Sequence, residues 1–261
     1  MKGNLRLIQS VQRALDIINC FDESNSKLNI NQISNKLSLH VNTTRGIVNT
    51  LVYNGYLIHN VDEGNYSLGY VFIPKAELVD NSYVERMKSL GRPYLRSIAN
   101  NHQVSSRLQL VSNYNVFTVE TFNPENSRYL LLTKMNTSFP LNATSSGKLF
   151  LSYQNKEFQE NYLSTSIFEK YTNKTIVDKE SLKNEIRIIR ENGYSLEDEE
   201  ISIGMSSIAV PLLSGTSKII GTLSIVASKS FLDDIKKEVL SDLFKAADEI
   251  IKGWESQTGA Q

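Results

Sequence analysis

Three groups of residues in this chain have the types and spacing to do chemistry. The first is Ser145-Ser146-Gly147-Lys148, which fits the Ser-x-x-Lys spacing of a serine nucleophile beside a lysine. The Ser-Asp-Asn and Lys-Thr-Gly motifs that complete such an active site are absent. A hydrolase using Ser145 is therefore the alternative reading. Nor is Gly147-Lys148 a phosphate-binding loop, because Leu149 stands where a Ser or Thr is needed and the upstream glycine is missing. The segment does offer the start of a helix. Backbone N–H groups of Ser145, Ser146 and Gly147 would be free there, at the positive end of the helix dipole, which suits a carboxylate. The second group is Asp198-Glu199-Glu200. Three successive acids on a strand-to-loop segment point in different directions, and no His is near in sequence. A salt-bridged or solvated loop is expected, not a metal site or an acid–base pair. No catalytic residue, metal site or cofactor is expected.

The third group is Asn42, Thr43, Arg45 and Asn49, with Lys27 upstream. Asn42, Arg45 and Asn49 recur at spacings of three and four, so they share one face of a helix. Asn pairs bidentately with adenine, and Arg with guanine or a phosphate. No Asp or Glu occurs between Glu23 and Asp62, although the whole chain has 28 acids and 28 Lys plus Arg. Lys27, Lys36 and Arg45 sit in that window with His40 and His59. A surface that approaches phosphates should lack carboxylates. The positive excess is small, so affinity for DNA should come from two copies of the module.

The elements that would carry these residues follow from periodicity. A helix is expected over Leu7 to Phe21, with Val11, Leu15, Ile18 and Phe21 as its apolar stripe. Ile30, Ile33 and Leu37, then Ile47, Val48 and Leu51, repeat at helical spacing around the turn Ser38-Leu39-His40. Asn29 or Asn31 can cap the first of these helices. Gly55 ends the second, and Tyr56 to Asn60 with Tyr66 to Leu68 reads as a hairpin. That is a winged helix-turn-helix, whose second helix enters the major groove. Pro74 to Asn101 reads as a linker helix interrupted at Gly91-Arg92-Pro93 and a candidate dimer surface. Strands then follow at Ser106 to Val111, Asn115 to Phe122 and Tyr129 to Met135. Helices are expected from the Ser145 segment to about Tyr153, over Glu157 to Leu163, and over Lys179 to Asn192. Strands at Tyr194 to Glu197, Ser206 to Leu213 and Lys218 to Val226 precede a closing helix, Phe231 to Trp254. The fold class is α+β.

These pieces, in this order, resemble the IclR family of bacterial transcriptional regulators over nearly the full length. The resemblance rests on Ser10-Val11-Gln12-Arg13-Ala14-Leu15-Asp16-Ile17, Leu51 to Leu57, and Tyr66-Ser67-Leu68-Gly69. It continues in Pro140-Leu141 through Gly147-Lys148, then Gly193-Tyr194-Ser195, Asp198-Glu199-Glu200, Gly204, Ile208-Ala209 and Pro211. It implies a winged helix-turn-helix over 1–73, a linker helix over 74–101, and a GAF-like antiparallel sheet with helices, binding an effector, over 102–261. It also implies homodimers or homotetramers on double-stranded operator DNA, with small organic acids or aromatic compounds as effectors. A DNA-binding protein without an effector, whose C-terminal domain serves only for assembly, is a further alternative beside the hydrolase. Carried over residue by residue, the family's ligand contacts fall on Ser145, Ser146, Glu197, Ser207 and Ser224, with Val226 nearby. Ser207 stands where many members have Cys, Glu197 where many have Asp, Val226 where Ser is frequent, and Asn142 where His is frequent. Gly46 stands where an Arg is common, so effector and operator should both differ from those of familiar members.

Composition fits. The single Cys20 excludes an internal disulfide, and no apolar run is long enough to span a bilayer. The N-terminus lacks the features of a signal peptide, so a cytoplasmic location is expected. Lys148 is expected on the helix surface or behind the ligand contacts. His102, Phe244 and Trp254 are expected to be structural.

Overall fold

The computed structural model describes residues 8–22, 25–112, 115–126, 140–166, 168–215 and 217–258. The chain divides into two compact units, Met1–Asp80 and Asn81–Gln261. The expected strand at Tyr129 to Met135 lies outside the described residues.

The first unit is built on α1 (Gln9–Ile18), α2 (Ile30–Lys36), α3 (Val41–Tyr53) and a hairpin of β1 (Leu57–Asn60) and β2 (Asn65–Leu68). Asn29 caps α2 in a reciprocal box: its side chain accepts from Gln32 N, and the Gln32 side chain accepts from Asn29 N. Ile33, Val48, Leu51 and Leu57 fill the core, joined by Ile17, Cys20 and Phe21 from α1 and its C-terminal turn. This corrects the stripe expected on α1. Val11 and Leu15 are 54% and 50% exposed, while Ala14, Ile17 and Ile18 face the core. The helix carries apolar residues on two faces, and periodicity does not tell which one the rest of the unit covers.

The second unit begins with α5 (Ser82–His102), which follows a short α4 (Phe72–Glu77) belonging to the first unit. The linker therefore breaks at 78–81, and α5 runs unbroken through Gly91-Arg92-Pro93. No residue of α4 is buried. In α5, Met87, Leu95 and Ile98 are buried in the main core, and that packing outweighs a local proline cost of about 3 kcal/mol. A Cβ on Gly91 would meet Leu108 Cδ2 at 3.1 Å, so the glycine lets the helix lie close on the sheet.

That sheet has five antiparallel strands in the order β4-β3-β7-β6-β5. They are β3 (Ser105–Ser112), β4 (Asn115–Phe122), β5 (Ser195–Asp198), β6 (Met205–Leu213) and β7 (Ile219–Ser228). One face carries Leu108, Leu110, Ile208, Val210, Leu212, Leu223 and Ile225, packed on α5 and the long α9 (Lys229–Thr258). The other face meets α6 (Ser145–Ser152). Beyond α6 lie α7 (Lys156–Thr165) and α8 (Lys179–Asn192), which supplies Leu182, Ile186 and Ile189 to a second core. Gly193 ends α8 with φ +75°.

On α3, Gly46 is exposed and a Cβ added there would meet nothing within 4 Å. Gly46→Ala should therefore stabilise α3 by up to about 1 kcal/mol. Slower hydrogen exchange of the α3 amides in the full chain is the expected result; faster exchange would show that the fold needs the glycine.

Candidate functional site

The α6 face of the sheet is polar. Strand register sets Glu197, Ser207 and Val226 side by side, then Ser224 beside Arg107, and Thr222 beside Gln109. Over these residues sits the start of α6. Ser145 Oγ lies 2.8 Å from Ser207 Oγ, and Ser207 Oγ donates to Glu197 Oε2 at 3.0 Å. Glu197 Oε1 accepts from the backbone of Glu200 at 2.7 Å and of Ile201 at 3.2 Å. Burial raises the Glu197 carboxyl above its ordinary range against these three donors and Lys148. Ser146 Oγ, Thr222 Oγ1 and Ser224 Oγ converge on Gln109 Oε1, at 2.6, 3.0 and 2.8 Å. The expected effector residues Ser145, Ser146, Glu197, Ser207 and Ser224 are thus buried together, and Val226 is half-buried beside them.

Gly147 plays a different part. Its N–H donates to the N-cap side chain, Thr144 Oγ1, at 3.1 Å, so it is not the free donor expected from sequence. A Cβ there would lie 2.6 Å from Leu141 Cα. Gly147 lets the 140–144 turn close onto the helix. The N–H groups of Ser145 and Ser146 keep no intrahelical acceptor, as at any helix start.

Lys148 is not on the helix surface: it is 1% exposed. Its ammonium donates to Leu196 O at 2.8 Å, to Glu185 Oε1 at 3.0 Å, and to Glu200 Oε1. The acid run is salt-bridged as expected, but not all of it is solvated. Glu199 pairs with Lys174, Asp198 pairs with Lys229 at 3.2 Å, and only Glu200 turns inward. His102 pairs with Asp242 at 2.8 Å, Trp254 packs edge-on against Tyr83, and Phe244 is partly exposed.

Sequence reasoning missed Arg107 and Gln109. The alternation Arg107-Leu108-Gln109-Leu110 shows that both oppose the leucines, but not that this face is also covered. Burial pulls the Arg107 guanidinium down to about 10, opposed by the field of Glu197.

In the first unit Asn42, Thr43, Arg45 and Asn49 all stand exposed on α3, opposite Thr44, Val48 and Leu51. Lys27 is exposed too, but its ammonium is held by Glu63 at 2.7 Å. The window free of acids in sequence is not free of them in space, because the wing brings Glu63 back onto it.

Two family profiles match the chain: the IclR helix-turn-helix domain over residues 10–60, and the bacterial transcriptional regulator IclR C-terminal domain over residues 83–252. The chain belongs to the IclR family. Among its relatives, the HTH-type transcriptional regulator XynR of Escherichia coli is 27% identical over 87% of this chain and 89% of its own length. The Pca regulon regulatory protein of Pseudomonas putida is 25% identical over 85% of this chain and 75% of its own. An IclR transcriptional regulator from Silicibacter shares the fold with a TM-score of 0.77 at 18% identity, over 93% of this chain and 95% of that one. An IclR homologue of Microbacterium hydrocarbonoxydans, solved with 4-hydroxybenzoate, shares it with a TM-score of 0.66 at 21% identity, over 95% and 99%. This IclR chain is a transcriptional regulator and not an enzyme. No helix among its described residues is long and apolar enough to cross a membrane.

Two predictions follow from this geometry. Gly147→Ala forces the Leu141 turn off α6 and should cost about 1–3 kcal/mol, read as a lower urea midpoint. A midpoint equal to wild type would mean the turn yields freely. The second concerns Glu200, whose carboxyl burial pushes up to about 7 despite Lys148. A carboxyl held above its ordinary value of 4.5 favours the fold fully below that value, and the contribution is lost as pH rises through 7. Wild type should therefore lose more stability than Glu200→Gln between pH 5 and 7, by on the order of 1 kcal/mol per pH unit at most. Parallel profiles would refute this.

Proposed function

We propose that this IclR regulator binds double-stranded operator DNA through α3 and the wing, as a homodimer or homotetramer, and that a small organic carboxylate in the C-terminal unit sets its affinity. The observation that carries the reading is one chain holding both an open α3 face and a buried, hydroxyl-lined sheet face. Asn42, Thr43, Arg45 and Asn49 are the proposed DNA contacts. Their exposure supports this, since a polar face buried within the unit would be unavailable to a groove. Lys27, neutralised by Glu63, is proposed to brace the wing, with a weaker part in phosphate binding.

Ser145, Ser146, Glu197, Ser207 and Ser224 are the proposed effector contacts, bordered by Val226. The p-hydroxybenzoate hydroxylase transcriptional activator of Acinetobacter baylyi, 22% identical over 83% of this chain, and the 4-hydroxybenzoate complex of the Microbacterium homologue both support a carboxylate. An effector that favours one arrangement of the paired DNA-binding units changes operator affinity by its differential affinity for the two states.

Fluorescence anisotropy on the DNA upstream of the protein's own gene tests the reading. Binding should be sequence-selective and weaken steeply with salt. Arg45→Ala or Asn49→Ala should each lose about 1–3 kcal/mol of affinity if the residue reads a base. Binding that ignores sequence, or is untouched by both substitutions, would discard the α3 interface. Failure of every small organic acid to change that binding would discard the effector.

A further inference from the structure

Arg107 is half-buried with its Nε enclosed, and the described residues offer it no counter-charge at bonding distance. Its Nε is buried without a hydrogen-bond partner, and no described carboxylate forms an ion pair with it. The acid whose field reaches it is Glu197, but both oxygens of Glu197 are engaged, one by Glu200 N and Ile201 N, the other by Ser207. Glu120, on the neighbouring strand β4, is held by Arg92 at 2.9 Å. Residues 126–156 contain no Asp or Glu at all, so that long stretch cannot supply the charge either. Enclosing part of a guanidinium without a partner is unfavourable, and a charge-assisted bidentate pair can offset that cost.

The position of Arg107 adds to this. It lies on the α6 face of the sheet, beside Ser224 and two residues from Gln109. Ser224 in turn pairs with Ala209, two residues from Ser207 on the same face. From strand spacing, the Cα atoms of Arg107 and Ser207 are about 12 Å apart. A guanidinium reaching inward and the Ser145–Ser207 hydroxyls can therefore hold opposite ends of one small molecule.

We propose that Arg107 is the receptor for the effector's carboxylate, and that the effector is a hydroxy acid whose hydroxyl end meets Ser145, Ser207 and Glu197. The anion then sits at the β3–β7 rows and not at the start of α6. Arg suits this role because its planar fork matches both carboxylate oxygens, which a Lys cannot do. The proposal rests on the effector reading above, and its test separates the two.

The test uses the full chain and two matched probe series: hydroxy acids (4-hydroxybenzoate, lactate, glycerate) and their primary amides. Acids that bind wild type should raise its melting temperature in proportion to the logarithm of their concentration, and their amides should not. Arg107→Gln should bind the same acids about ten- to a hundred-fold more weakly by calorimetry. Arg107→Lys should recover only part of that loss. A ligand-free arm makes the outcome independent of any probe: Arg107→Met should melt no lower than wild type, because it removes a half-buried charge that no described carboxylate pairs. A lower melting temperature for Arg107→Met would mean the fold uses the guanidinium structurally, and would overturn the assignment. Acids and amides binding alike, or acid binding unchanged in Arg107→Gln, would overturn it while leaving the effector reading intact. No response to any acid or amide would overturn both.

Discussion

Lys148 brings a full positive charge into the middle of the C-terminal unit, and the site is assembled around it. Its ammonium joins α6 to the backbone of β5 at Leu196, to α8 at Glu185, and to the loop after β5 at Glu200. From Glu200 the order continues: its backbone, with that of Ile201, fixes Glu197. Glu197 fixes Ser207, and Ser207 meets Ser145, which is on the same turn of α6 as Lys148. The path closes on itself. Such a ring is costly to break, since removing one partner of a buried ion pair typically loses about 3–5 kcal/mol. It therefore acts as a fixed frame, and the serine hydroxyls it positions keep one geometry.

The sheet beneath explains how a polar frame can exist inside a stable unit. One face is mainly apolar, interrupted by buried Ser106 and Ser206, and is sealed by α5 and α9, which gives the unit its main core. The other face is relieved of that duty and carries Gln109, Thr222, Ser224, Ser207 and Glu197. The hydroxyls of Ser207, Thr222 and Ser224 each have a partner, so their burial is close to neutral, whereas those of Ser105, Thr118 and Ser195 on the same face are buried without one among the described residues. Gln109 shows the economy of the arrangement: one amide oxygen serves Ser146, Thr222 and Ser224, tying α6 to the sheet at a second point beyond the Lys148 ring.

Local patterns carried most of the fold. The Asn29–Gln32 box, the glycines at 55 and 193, the alternation of β3 and the periodicity of α8 are all read within one or two turns of chain, and the structure has those elements where they were expected. The reading went astray where the deciding partner is distant. For Lys148 the helix surface and a place behind the ligand contacts are both expected from sequence, and only Glu200, far along the chain, decides against the surface. Lys27 looks free until the wing returns Glu63. Val11 and Leu15 look like core because α1 has two apolar faces, and only the α2–α3 packing chooses between them. Pro93 looks like a break because its penalty is local while the packing of Leu95 and Ile98 is not. For the site, the α6 start was legible through family resemblance, whereas Arg107 was not, because a lone arginine on an alternating strand is ordinarily solvated.

A site made of hydroxyls that already satisfy one another has a consequence for selectivity. A ligand that enters must replace the Ser145–Ser207 contact with bonds at least as good, so an apolar molecule of the right size gains little. It would leave buried oxygens unpaired at about 1–3 kcal/mol each, enough to exclude it by an order of magnitude or more. A molecule with a matching polar group loses nothing by the exchange. Under the proposed effector role the frame set by Lys148 would make this discrimination strict, because Glu197 is held by two backbone donors and in turn holds Ser207.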